Sequence, residues 1–147
     1  MSTRILEDKA FIRLMQLHIA DLLDLLLQRG QFFSIYTNIT QVTFEPPLPD
    51  AITQHFKIIT PFSLYEYSFE SASFDEENLY FEAGFGSENI GAMVTVPLMA
   101  IVQILIDETP IFINIAKEEN EKIKEQNIDK SMNIFRSNPK NKNLIKD

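Results

Sequence analysis

Residues 78–97 run Asn78-Leu79-Tyr80-Phe81-Glu82-Ala83-Gly84-Phe85-Gly86-Ser87-Glu88-Asn89-Ile90-Gly91-Ala92-Met93-Val94-Thr95-Val96-Pro97. Leu79, Phe81, Ala83 and Phe85 alternate with Tyr80, Glu82 and Gly84, the period-two pattern of a strand with one buried face. After the polar turn at 86–91, Ala92, Val94 and Val96 repeat it. Two such runs across a turn pair antiparallel, so a sheet sits at the centre of the chain. Upstream, Tyr65, Tyr67 and Phe69 alternate with Leu64, Glu66 and Ser68, which predicts a strand returning through the turn Asp75-Glu76-Glu77-Asn78. Downstream, Pro97 suits a first helical turn and predicts a short helix to about residue 106. Ile111, Ile113 and Ile115 then form the last strand.

Working outward, residues 4–29 read as one long helix, with Phe11, Leu14, Met15, Leu22, Leu25 and Leu26 at helical spacing and Gly30 as its stop. Ile5, Ile12, Ile19, Leu23 and Leu27 widen the apolar surface beyond the stripe of about 100° that one sheet needs. Either a second subunit covers the excess, or the helix sinks deeper into its own domain. Residues 34–44 are β-branched and aromatic and predict a strand whose alternation slips between Ile39 and Val42. The proline-rich segment at 45–50 ends it, and residues 55–60 predict a short strand closed by Pro61. The class is therefore α+β: a long N-terminal helix, about six strands, and a short helix before the last strand.

Residues 1–116 form the domain, and 117–147 differ in kind. Residues 117–130 predict a charged helix with a thin apolar seam, and 133–147 are too rich in Asn, Lys, Ser and Pro to order. Charge divides at the same place. Residues 1–116 carry five Lys/Arg against 15 Asp/Glu, a net of −10, whereas 117–147 carry eight against six, a net of +2. An acidic body repels phosphate backbones, which disfavours nucleic acid as a partner.

Catalytic and metal chemistry find little footing. With no Cys there is no thiol chemistry or zinc ribbon, and His18 and His55 alone do not suggest a metal site. No nucleophile elbow, Walker loop or dinucleotide fingerprint occurs, and only four glycines are present. Asp75-Glu76-Glu77 is a carboxylate cluster in an open turn, where no environment drives two pKa values apart. The chain is expected to be a non-enzymatic binding protein without a cofactor. The first eight residues lack the apolar run of a signal peptide, and no stretch of about 18 apolar residues is present, so the expectation is cytoplasmic and off the membrane.

Phe81-Glu82-Ala83-Gly84-Phe85-Gly86, followed by Val94-Thr95-Val96-Pro97-Leu98-Met99-Ala100-Ile101, resembles the stringent starvation protein B (SspB) family. Ile59-Thr60-Pro61 adds to the likeness, which spans roughly residues 10–116. These are adaptors that deliver tagged proteins to the ClpXP protease. The resemblance implies an N-terminal helix on an Sm-like β-barrel or sandwich, and a homodimer joined through that helix, here by Phe11, Met15, Ile19 and Leu22. It implies a groove for an extended degradation tag at Phe81, Ala83, Gly84 and Phe85, with Ile58 and Thr60 on the opposite wall. It also implies a tether whose end, Leu144, Ile145 and Lys146, docks on the ClpX unfoldase. The chain departs from the family in the longer turn at 87–91 and in its terminal acid, Asp147. Two other readings compete: an Sm-like RNA-binding module, and a dimeric structural or assembly chaperone with no protease link.

Overall fold

The computed structural model describes residues 3–116. The expected helix at 117–130, the disordered end and the docking residues Leu144, Ile145 and Lys146 lie outside the described residues. The N-terminal helical stretch is two helices, α1 (Thr3–Glu7) and α2 (Lys9–Gln28). Asp8 divides them: its backbone is extended and its carboxylate accepts from the N–H groups of Ala10 (2.8 Å) and Phe11 (3.2 Å). Such an N-cap contributes about 0.5–2 kcal/mol, enough to favour a restart over an uninterrupted helix. Gly30 stops α2 at φ +65°, and the N–H groups of Gly30 and Gln31 reach back to the carbonyls of Leu27 and Leu26. That is the crossed bonding of a Schellman cap, for which a left-handed residue is required.

Among the described residues eight strands follow, not about six, in two antiparallel sheets of four. They are β1 (Phe33–Asn38), β2 (Thr43–Glu45), β3 (Ile59–Leu64), β4 (Ser73–Phe74), β5 (Asn78–Phe85), β6 (Ile90–Pro97), β7 (Ile101–Ile106) and β8 (Thr109–Ile113), with the one-turn helix α3 (Asp50–Thr53) between β2 and β3. The first sheet runs β3-β1-β7-β8 and the second β2-β6-β5-β4, and no closed barrel joins them among the described residues. β5 and β6 pair in register from Asn78↔Pro97 to Phe85↔Ile90.

Four expectations are corrected. The slip at 39–42 is a sheet change: Asn38 accepts from both the backbone and the hydroxyl of Thr40, one 3-10 turn (Ile39–Gln41) forms, and the chain enters the second sheet as β2. Pro61 does not close a strand but lies inside β3, which is an edge strand. The Ile39 N–H bond to Ile58 sets the alternation, so the nitrogen of Pro61 points away from β1, where no donor is needed. Tyr65–Phe69 is not a strand. Its alternation is incidental, because Tyr65 and Tyr67 are exposed while Phe69 turns inward against Phe32 and Phe33 from the short helix α4 (Tyr67–Glu70). The turn at 75–78 does join two strands, but β5's partner is the two-residue β4. Finally, the helix after Pro97 is a single 3-10 turn (Leu98–Ala100), and the apolar run from Ile101 becomes β7, sandwiched between β1 and β8. A short apolar run does not by itself distinguish a buried strand from a buried helix.

The core lies between the sheets and under α2. Ile35 and Leu64 of the first sheet face Leu79, Phe81, Val94 and Val96 of the second, with Ile19, Leu23 and Leu26 of α2 completing it. Buried polar groups are paired: Thr37 donates to the Thr60 carbonyl at 2.9 Å, and Asn114 donates to the Ile101 carbonyl at 3.1 Å. No helix among the described residues is long and apolar enough to cross a membrane.

Candidate functional site

β5 is flanked by β6 along its whole length, but β4 covers only Leu79 and Tyr80 on the other side. Beyond Tyr80, no strand lies beside that edge among the described residues. The Asp75 N–H bonds the Asn78 carbonyl, so the even-numbered residues of β5 turn their backbone polar groups toward this edge. Ser71 Oγ accepts the Glu82 N–H at 2.9 Å. Among the described residues, no hydrogen bond engages the Glu82 carbonyl or either backbone group of Gly84.

Two depressions meet at this edge. One, of about 400 Å³, lies on the outer face of the second sheet and is lined by Glu45, Pro46, Gly91, Ala92 and Met93. The other, of about 330 Å³, lies toward the β3–α4 connection, against Ser63, Tyr65, Glu66 and Ser68. Both include Tyr67, Glu82, Ala83, Gly84 and Asn89, so together they make one trough across the edge of β5. Gly84 and Gly91 are register partners and leave bare backbone on its floor. Above Gly84 lies the Asn89 carboxamide, from a turn residue at φ +53°. A Cβ added to Gly84 would come 1.8 Å from Asn89 Oδ1, whereas one on Gly91 would meet nothing within 4 Å.

The trough is acidic. Among the described residues, Glu45, Glu66 and Glu82 line it and no Lys or Arg does. The Tyr67 hydroxyl donates to the Glu82 carboxylate, and this bond, reinforced by the Glu82 charge, raises the phenol's pKa above 10.0. Tyr80 is raised likewise by donating to Asp75 at 2.7 Å. Asp75 is lowered in turn, first by Tyr80 and then by the N–H groups of Asn78 and Glu77. A phenol whose native pKa is raised adds stability that is present below pH 10 and lost as pH rises through the native value. An alkaline titration followed by tyrosinate absorbance is therefore expected to show late ionisation from Tyr67 and Tyr80, and Tyr67→Phe to remove part of it. A late alkaline limb that Tyr67→Phe leaves unchanged would show that the Tyr67–Glu82 pairing does not form in solution.

The residues singled out from sequence scatter. Ala83 and Gly84 line the trough. Phe81 is fully buried in the core. Phe85 is half-buried among Phe44, Phe56 and Phe62, at centroid distances of 5.5, 6.3 and 6.3 Å. Thr60 is buried beside Thr37, and Ile58 is 67% exposed, but neither lines the trough. On α2, Ile19 is wholly within the core, and Phe11, Met15 and Leu22 pack against it, while Leu14, Leu17 and Leu25 are the exposed apolar residues. Sequence reasoning missed Tyr67, Glu82, Asn89, Glu45 and Met93. Glu82 was within reach, since it shares strand parity with Gly84; Tyr67 and Asn89 arrive from elsewhere in the fold.

His18 stacks on Phe112 at 5.1 Å, and no group of three or more His, Asp or Glu among the described residues could hold a metal ion. No protein-family model matches the chain, and no curated protein matches it in sequence.

Proposed function

We propose that this protein captures an extended peptide along the free edge of β5 and, as an adaptor, delivers the tagged protein bearing it to the ClpXP protease. The observation that carries the capture is the unpartnered edge, with the backbone groups of Gly84 unbonded beside a trough floored by glycine. A strand added there gains affinity from main-chain hydrogen bonds and specificity from its alternate side chains. The adaptor role rests on the resemblance to the stringent starvation protein B family. The α2-plus-two-sheet arrangement is compatible with the Sm-like layout that the resemblance implies. In this reading the exposed stripe Leu14, Leu17 and Leu25 joins two copies, and Leu144, Ile145 and Lys146 dock on ClpX. The acidity of residues 1–116 speaks against RNA as the cargo.

The test is fluorescence anisotropy with labelled tag-like peptides, paired with degradation of a tagged reporter by ClpXP. Binding with a Kd on the order of micromolar is expected, with faster degradation in the presence of the full chain. Removing 143–147 is expected to spare peptide binding and abolish the acceleration. Absence of binding across a tag-peptide library overturns capture, and binding without any acceleration overturns the adaptor role.

A further inference from the structure

We infer that a second copy of this chain pairs with the free edge of β8, so that the first sheet continues across a two-fold axis as eight strands. The inference rests on the reading that α2 joins two copies and adds the strand that meets beside it; it does not depend on peptide capture. The Asn114 N–H donates to the Val102 carbonyl at 2.8 Å, and Phe112 stands opposite Ile104. Alternation then turns the backbone groups of Ile113 and Ile115 away from β7, toward an edge with no strand beside it among the described residues. Their side chains are 54% and 52% exposed. Sheet edges are usually blunted by charge, proline or a bulge. Here Pro110 and the register shift beside it guard only the turn end, and residues 109–116 carry no charge at all.

Charge and area select a second copy as the occupant. Residues 1–116 carry a net of −10, so copies meeting elsewhere set acid against acid, whereas β8 offers a neutral strip. Antiparallel pairing keeps the two Asp107-Glu108 turns at opposite ends of the seam, where a parallel pair would bring them together. A strand edge this short falls well below the total of about 1,200–2,000 Å² that a stable interface buries. The flank of α2 adds apolar surface beside it. His18 stacks on Phe112 of β8 at 5.1 Å, and Leu14 and the half-exposed Leu25 lie on the same side of the helix, at spacings of four and seven residues from His18. Strands meeting at about 4.8 Å bring the two α2 helices alongside, where these leucines interdigitate at the 8–10 Å of packed helices. Because α4 packs on both β3 and β5, the trough lies at the other edge of the molecule, and both copies keep it open.

Sedimentation of the full chain from about 1 to about 100 µM is expected to show a monomer–dimer equilibrium. Ile113→Lys places a charge on the seam and is expected to weaken the dimer by about tenfold or more. Its circular dichroism should not change, since the side chain it replaces is exposed. Ile59→Lys makes the same change on β3, the far edge of the sheet, and is expected to leave the dimer within about twofold. In the unaltered chain, the amides of 111–115 are expected to exchange more slowly at the higher concentration than at the lower. If those amides exchange alike at both, or if Leu14→Lys dissociates the dimer and Ile113→Lys does not, the β8 seam is wrong while α2 still joins the copies. If the unaltered chain sediments as a monomer throughout, the contact between copies falls and this inference with it, and peptide capture is untouched.

Discussion

Gly84→Val is expected to weaken peptide binding by about tenfold or more while shifting stability by less than about 1 kcal/mol. The side chain at 84 points to the outer face, as those of Tyr80 and Glu82 do, because parity along β5 is unbroken to Phe85. Its Cβ would fall where Asn89 Oδ1 now lies, so the carboxamide must swing away. That displacement is cheap, since Asn89 is exposed at the tip of a turn. Valine suits a strand and removes the entropic cost of glycine there, which offsets part of any strain. What it fills is the outer-face trough beside the β5 edge, where a bound peptide's side chains would otherwise lie over the bare Gly84 backbone. Anisotropy and a urea titration on the same preparation separate the two effects. Unchanged affinity would place the binding surface elsewhere. Ala83→Gln is a poorer probe, because Ala83 shares the inward parity of Phe81 and packs against the core, so a longer polar side chain would disturb stability as well.

Phe81→Ala should act in the opposite sense, costing about 3–5 kcal/mol of stability, a large share of the 5–15 kcal/mol typical of a domain. Phe81 has no exposed surface and meets Phe62 edge-on at 5.7 Å, so its ring is one of the contacts between the two sheets. With a urea dependence of about 1–3 kcal/mol per molar, the midpoint should fall by at least about 1 M. Phe85→Ala removes a half-buried ring and is expected to cost less. A loss below about 1 kcal/mol for Phe81→Ala would mean that the ring is not part of the inter-sheet core.

The sequence made the second sheet legible because Leu79–Phe85 and Ala92–Val96 each keep one face buried, so composition and geometry share a period. The stop at Gly30 was legible for a local reason, the need for a positive φ. Failures came where tertiary context decides between equal local options. Asp8 looks like any acid on a helix until its backbone is seen to be extended. The tyrosines near 65 mimic a strand face, although only Phe69 goes inward. The run after Ala100 is apolar enough for either a helix or a central strand, and pairing on both sides selects the strand. Within the site, Ala83 and Gly84 could be named from one strand. The acids that give the trough its character come from β2, β5 and the β3–α4 connection, and no local pattern joins them.

The first sheet also sets a timetable for the growing polypeptide. β1 lies between β3 and β7, pairing Ser34 with Ser63 on one side and with Leu105 on the other. At about 5–20 residues per second, the ribosome supplies the nearer partner within about 1.5–6 s and the farther one only after about 4–14 s. In the interval a two-stranded ribbon carries Phe33, Ile35, Phe62 and Leu64 on one uncovered face, with a free edge where β7 will dock. A truncation ending between Leu64 and Ile101 freezes that half-built sheet, open to pairing with its own kind.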